Sequence, residues 1–337
     1  MKTILKSKEP FVLKERFFRS FLFLLSFLLL TSCSQPPAPT SAERDSLKIV
    51  ATVFPAYDFA RAVGGEYADV SLLLPPGAES HSYEPTPADM LSVQDCDLFL
   101  YLGGESDAWV ETILGAVDLK GTAMKMIDCV EPLEEETVEG MAEEPGHTHE
   151  SEGDHHDLGA VKEYDEHVWT SPRNAALITR AIGAALMELD ASHSAEYEAN
   201  TERYAAEIES LDDAFADFFA NCSNRTMLFG DRFPLRYFAE EYDIHYYAAF
   251  PGCSTQTEPS AATIAFLIDK AEAEHLSTIY YIEFSNHLVA DSIAEATGSQ
   301  TALFHTCHNV SQSELDSGAT YVSLMAQNLE TLRTAMD

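Results

Sequence analysis

The chain has 337 residues and a formal charge of −36, from 56 Asp and Glu against 20 Lys and Arg. That length suggests two domains with ample core. Such an acidic body is repelled by nucleic acid and by anionic lipid headgroups, which excludes binding to either as a general role, and it suits the attraction of cations.

The first 32 residues run against this trend. Lys2, Lys6, Lys8, Lys14, Arg16 and Arg19 outweigh Glu9 and Glu15, a local +4 that leaves −40 for the rest. The apolar run from Phe21 to Leu30 follows. It is too short to span a bilayer as an ordinary helix and fits the core of a signal peptide. Leu30-Thr31-Ser32-Cys33 resembles the bacterial lipobox, in which the cysteine is lipid-modified. The expectation is a signal peptide over 1–32, a lipidated Cys33 and a Pro/Ser-rich flexible tether over 33–46. The mature protein would be extracytoplasmic, anchored by lipid to the bacterial cell membrane. The plainer alternative is ordinary secretion with a chance cysteine. Cys96, Cys129, Cys222, Cys253 and Cys307 then lie in a compartment that permits disulfides, and their odd number leaves one thiol without an internal partner. No CxxC spacing occurs, which disfavours a thiolate zinc site.

Leu47–Val53 reads as a β-branched first strand, Ala56–Val63 as a helix stopped by Gly64-Gly65, and Asp69–Leu74 as a second strand. Thr86–Asp95 opens with a capping residue and a proline, a helix start. Leu98–Leu102 is a third strand. This alternation predicts a parallel α/β sheet in an N-terminal lobe over 47–195. Residues 131–166 interrupt it with fourteen acidic residues, four histidines and one lysine. That composition offers nothing for a packed core. His147, His149, His155 and His156 among carboxylates instead suit accessory capture of a transition metal.

From Ser171 to Asn221 the pattern is helical. Tyr204, Ile208, Leu211, Phe215 and Phe218 stand three and four apart, predicting one long amphipathic helix that links the lobes over 196–221. The α/β pattern then restarts over 222–337. Strands are expected at 226–229, 245–248, 278–282 and 300–304, with helices at 260–274, 287–297 and 321–336. The predicted fold is two parallel-sheet α/β lobes joined by one long helix.

His81, in PGAESHSYEPTPADM, follows a buried strand on a proline-stiffened loop, where open α/β sheets place their ligands. His167, in DEHVWTSPRNA, follows the acidic segment. These two segments resemble the histidine motifs of the zinc/manganese substrate-binding lipoproteins of ABC transporters. ADSIAEATG resembles the segment before that family's last strand, and the resemblance spans about 47–336. It implies a rigid linking helix, a metal in the interlobe cleft, and His81 and His167 as ligands. It also implies a C-terminal histidine that is missing here: the corresponding stretch reads LFGDRFPLRYF. Asp231 is the nearest ligand-capable group there. For the fourth ligand His305 is expected, with His308 in reserve. Cys307 could bind metal instead, or pair with Cys253 in a disulfide. The acidic histidine loop resembles an insertion of the zinc-importing branch, and imidazole holds zinc more strongly than manganese.

The expected function is high-affinity capture of extracellular Zn²⁺ and its delivery to an ABC permease by a monomer. The alternatives are a manganese-binding transport lipoprotein and a surface adhesin with a structural metal. HExxH, GxSxG and P-loop patterns do not occur, so an enzyme is not expected.

Overall fold

The computed structural model describes residues 46–80, 83–104, 107–141, 164–252 and 258–336. Cys33, His81, the four loop histidines and Cys253 lie outside the described residues. Two parallel four-stranded sheets form the frame. In the first, β1 (Leu47–Ala51), β2 (Ala68–Leu72), β3 (Leu98–Tyr101) and β4 (Thr122–Lys125) take the order β2-β1-β3-β4. In the second, β5 (Thr226–Phe233), β6 (His245–Pro251), β7 (Thr278–Tyr281) and β8 (Gln300–Leu303) repeat it as β6-β5-β7-β8. Each sheet therefore reverses its winding beside its first strand, and side chains beyond the strand exits there are placed to meet a ligand.

Helices cover the sheets: α1 (Phe54–Gly64), α2 (Pro87–Asp95), α3 (Ala108–Ala116), α4 (Pro172–Leu189), α5 (Ser194–Asn221), α6 (Arg236–Tyr242), α7 (Ala261–Ala273), α8 (Leu288–Thr297), α9 (Gln312–Asp316) and α10 (Tyr321–Ala335). Local chemistry sets their starts. The Thr86 hydroxyl accepts from the Asp89 amide while the Asp89 carboxylate accepts from the Thr86 amide, a reciprocal cap on α2. Ser171 caps α4 in the same sense, accepting from the Asn174 amide. Among the described residues no helix is long and apolar enough to cross a membrane.

The linking helix α5 has 28 residues, about 42 Å at the α-helical rise. It buries Tyr197, Tyr204, Ile208, Leu211, Phe215 and Phe219. Phe219, and not the expected Phe218, completes the stripe, because it stands one full i,i+4 step beyond Phe215. Asp58 of α1 locks this helix to both ends of the chain. Its buried carboxylate accepts from the Tyr204 hydroxyl of α5, from the Tyr321 amide of α10 at 2.8 Å and from Arg61 at 2.8 Å. Burial raises its pKa against the pull of those partners.

The acidic segment departs from expectation at its two ends. Residues 131–141 pack onto the C-terminal lobe. Glu136 pairs with Arg236 at 3.1 Å, Glu139 with Lys270 at 3.3 Å, and Met141 is buried. Gly140, at φ +93°, lies so close to Phe266 that a Cβ would fall 2.1 Å from the ring. Glu134 bridges to Tyr164, closing the base of the segment. Acidic composition did not prevent docking, because basic partners stood opposite.

Candidate metal centre

A cleft of about 70 Å³ opens between the lobes. It is far below the roughly 300–1,000 Å³ typical of organic ligand sites. All four C-terminal-lobe strands empty into it: Arg232 and Pro234 from β5, Gly252 from β6, Ile282, Glu283 and Phe284 from β7, and Thr306, His308 and Asn309 from β8. The N-terminal lobe adds Ala78, Glu79, Ser80 and His167. A larger groove of about 620 Å³ runs between β8 and α10, but its lining is mainly Thr, Gln and Ala, without His or Cys.

His167 is fully buried at the entry to a short 3₁₀ turn. Asp165 Oδ1 accepts from the His167 amide at 2.8 Å and faces its Nδ1 at 3.1 Å. Nδ1 therefore carries the proton, and the Nε2 lone pair is left for a ligand. Carboxylate–imidazole pairs of this kind orient and strengthen metal-binding histidines. Burial alone would lower the pKa of His167, but Asp165, Glu166 and Glu135 outweigh it and raise it. Asp165 is fixed in turn. Its amide donates to the Leu133 carbonyl, and its carbonyl accepts from the Tyr237 hydroxyl of the opposite lobe at 2.7 Å.

His308 faces His167, with ring centroids 5.8 Å apart. The Trp169 indole lies 5.4 Å from the first ring and 5.3 Å from the second, and its N–H donates to the Thr306 carbonyl. Glu283 follows β7. Its two carboxylate oxygens accept from the Thr306 amide at 2.8 Å and the Thr306 hydroxyl at 2.5 Å.

The structure thus separates the expected C-terminal pair from the cleft. His305 does not line it. Its amide and carbonyl are both held by Asn328, and in the neutral ring Nδ1 accepts from the Cys307 amide. Nε2 points to Glu314, 3.7 Å away. Cys307, between the two histidines, adopts φ +62°, and of the two only His308 lines the cleft. The Cys307 thiol is buried and free among the described residues, and Cys253, the disulfide partner weighed for it, lies outside them. Asp231 is likewise absent from the lining. Its carboxylate accepts from the Arg232 amide at 2.8 Å and the Ile282 amide at 3.4 Å. The register between β5 and β6 slips between Phe229 and Arg232, a bulge that re-aims the strand exit. Gly230, in the same stretch, lets α8 pack closely on β5, since a Cβ there would come within 2.4 Å of the Ala290 backbone.

Glu283 was not singled out from the sequence, although it stands just past the buried strand β7, where the winding of the second sheet reverses. The loop preceding His81 is clamped to the C-terminal lobe by Asn309, which donates to the Pro75 and Ala78 carbonyls at 2.8 and 2.9 Å. Among the described residues no three His, Cys, Asp or Glu side chains converge to metal-binding distance in this conformation. Two imidazoles and a carboxylate around one small cleft are nonetheless a donor set suited to zinc.

The family model for the zinc-uptake complex component A, described as periplasmic, matches residues 49–335. The chain belongs to that family. The high-affinity zinc uptake system protein ZnuA of Bacillus subtilis is 32% identical over 324 residues, covering 94% of this chain and 96% of the relative. The zinc-binding lipoprotein AdcA of Streptococcus pneumoniae is 29% identical, and the match covers 93% of this chain but 61% of AdcA. The crystal structure of the Zn(II)-bound ZnuA-like domain of that AdcA superposes with a TM-score of 0.70 at 27% identity, covering 87% of this chain and 99% of that domain. The zinc-uptake family is thus matched across both lobes.

Proposed function

We propose that this protein captures Zn²⁺ outside the cytoplasmic membrane and hands it to an ABC permease. It is a carrier and not an enzyme. His167 and His308 supply imidazole nitrogen and Glu283 supplies carboxylate oxygen, with His81 as the fourth ligand. Glu283 and His308 take the places first expected for Asp231 and His305. The observation that carries the assignment is His167, with Asp165 on its Nδ1 and its ring 5.8 Å from that of His308 in the cleft. In the same reading Cys33 carries the lipid anchor, the protein acts as a monomer, and His147, His149, His155 and His156 collect weakly held metal. Zinc titration against a competing chelator tests the ligand set. Single alanine variants at 81, 167, 283 and 308 should each lose the tight site, while variants at 231 and 305 should keep it. Retention of tight binding by the His308 variant would refute the assignment.

A further inference from the structure

The cleft already contains a cation. Arg232, at the exit of β5, crosses to the opposite lobe and pairs with Glu79, Nη2 to Oε2 3.1 Å. Both residues line the cavity that holds His167, His308 and Glu283. The arginine is placed there by structure and not by chance. It stands at the register shift of β5 against β6, and the Asp231 carboxylate accepts from its amide. Its side chain is about a quarter exposed. A guanidinium cannot shed its charge by deprotonation, so it can relieve repulsion only by moving. A dication in the same small space would repel it strongly, because partly buried charges are poorly screened.

We infer that Arg232 is an internal competitor for the metal: its guanidinium rests on Glu79 in the cleft, and a divalent cation must displace it to bind. This rests on the zinc-capture reading and adds to it a residue that sets affinity. Zinc entry becomes an exchange of one cation for another. Unloading is helped by the reverse step, since the guanidinium refills the cleft as the metal leaves. The competitor holds affinity below what the ligands alone would give, which suits a carrier that must release its cargo.

The test measures zinc affinity of the whole chain by chelator competition, for the wild type, Arg232→Gln and Arg232→Lys. Arg232→Gln should bind zinc more tightly, by roughly tenfold, within the usual range of coupling between two sites. Arg232→Lys keeps a positive charge and should stay close to the wild type. An unchanged or weaker Arg232→Gln overturns the inference, as does an equal gain in both variants, which would point to side-chain shape. A second readout needs no variant. In ¹⁵N-labelled wild type treated with chelator, the Arg232 Nη–H signal should exchange slowly, and one equivalent of zinc should shift it and speed its exchange. A signal indifferent to zinc overturns the inference. If the wild type itself lacks a tight zinc site, the functional reading has failed and not the competitor alone.

Discussion

In the proposed site Asp165 would act on zinc affinity through His167 alone, so replacing it with Asn should give a measurable and signed effect. In the wild type one carboxylate oxygen serves both the His167 amide and its Nδ1, at 2.8 and 3.1 Å, with both side chains almost fully buried. The Asn oxygen can accept the same two bonds but brings no charge. Zinc affinity at pH 8 should therefore fall by about 10- to 100-fold, the usual cost of removing such a partner, or about 1.4–2.8 kcal/mol. The pH dependence supplies the sharper check. In the wild type the neighbouring carboxylates raise the pKa of His167, so protons compete with zinc at a higher pH than for an ordinary histidine. Asn removes the first of these carboxylates and lets burial lower the pKa. Proton competition then weakens in the variant, and its deficit should shrink as pH falls from 8 to 6. Chelator competition followed by tryptophan emission suits the assay, because Trp169 contacts both imidazoles. A deficit that grows on acidification, or none at pH 8, would refute the orienting role.

Other outcomes can be checked directly. His305→Ala should leave tight zinc binding intact but lower the urea midpoint, since Glu314 loses its buried partner. Glu314 is held at about 2 chiefly by His305. Its contribution to stability is therefore present above its ordinary 4.5 and lost as pH falls toward 2, so Glu314→Gln should flatten that acid limb of the urea midpoint. Asp58→Ala leaves the buried Tyr204 hydroxyl and Tyr321 amide without their acceptor and should cost about 2–6 kcal/mol in urea denaturation, at about 1–3 kcal/mol each. Deleting 142–163, so that Met141 joins Tyr164, should preserve the tight site and remove weak zinc equivalents in calorimetry; loss of the tight site would show that the loop helps to build it.

Much of the frame was legible because buried parallel strands announce themselves. Leu98–Tyr101 and Thr278–Tyr281 are apolar runs, and each fell within a residue of its expected bounds. β4 was not legible: Thr122–Lys125 is half exposed and has no apolar run to signal it. His167 was singled out from its motif, and the structure places it in the cleft. That Arg232 and His308 line the cleft while Asp231 and His305 do not was not legible: the register shifts after Phe229, and Cys307 is left-handed. Neither leaves a reliable mark in sequence, since a one-residue shift of register reverses every side chain beyond it, and a left-handed residue is ordinarily announced by glycine or asparagine.

The ties between the lobes bear on how fast the cargo can leave. Trp169 bonds the Thr306 carbonyl, Tyr237 the Asp165 carbonyl and Asn309 the Pro75 and Ala78 carbonyls, so each wall of the cleft is fastened to the other. Asp58 repeats the pattern behind them. A wide swing of one lobe would have to break all of these together, and a partly broken set would leave buried donors unsatisfied at about 1–3 kcal/mol each. Spontaneous loss of the ion is then limited by small motions of the loops around it. Rapid discharge calls for a docked partner that supplies replacement contacts while these are undone, so residence time in solution and residence time on the transporter become separately adjustable quantities.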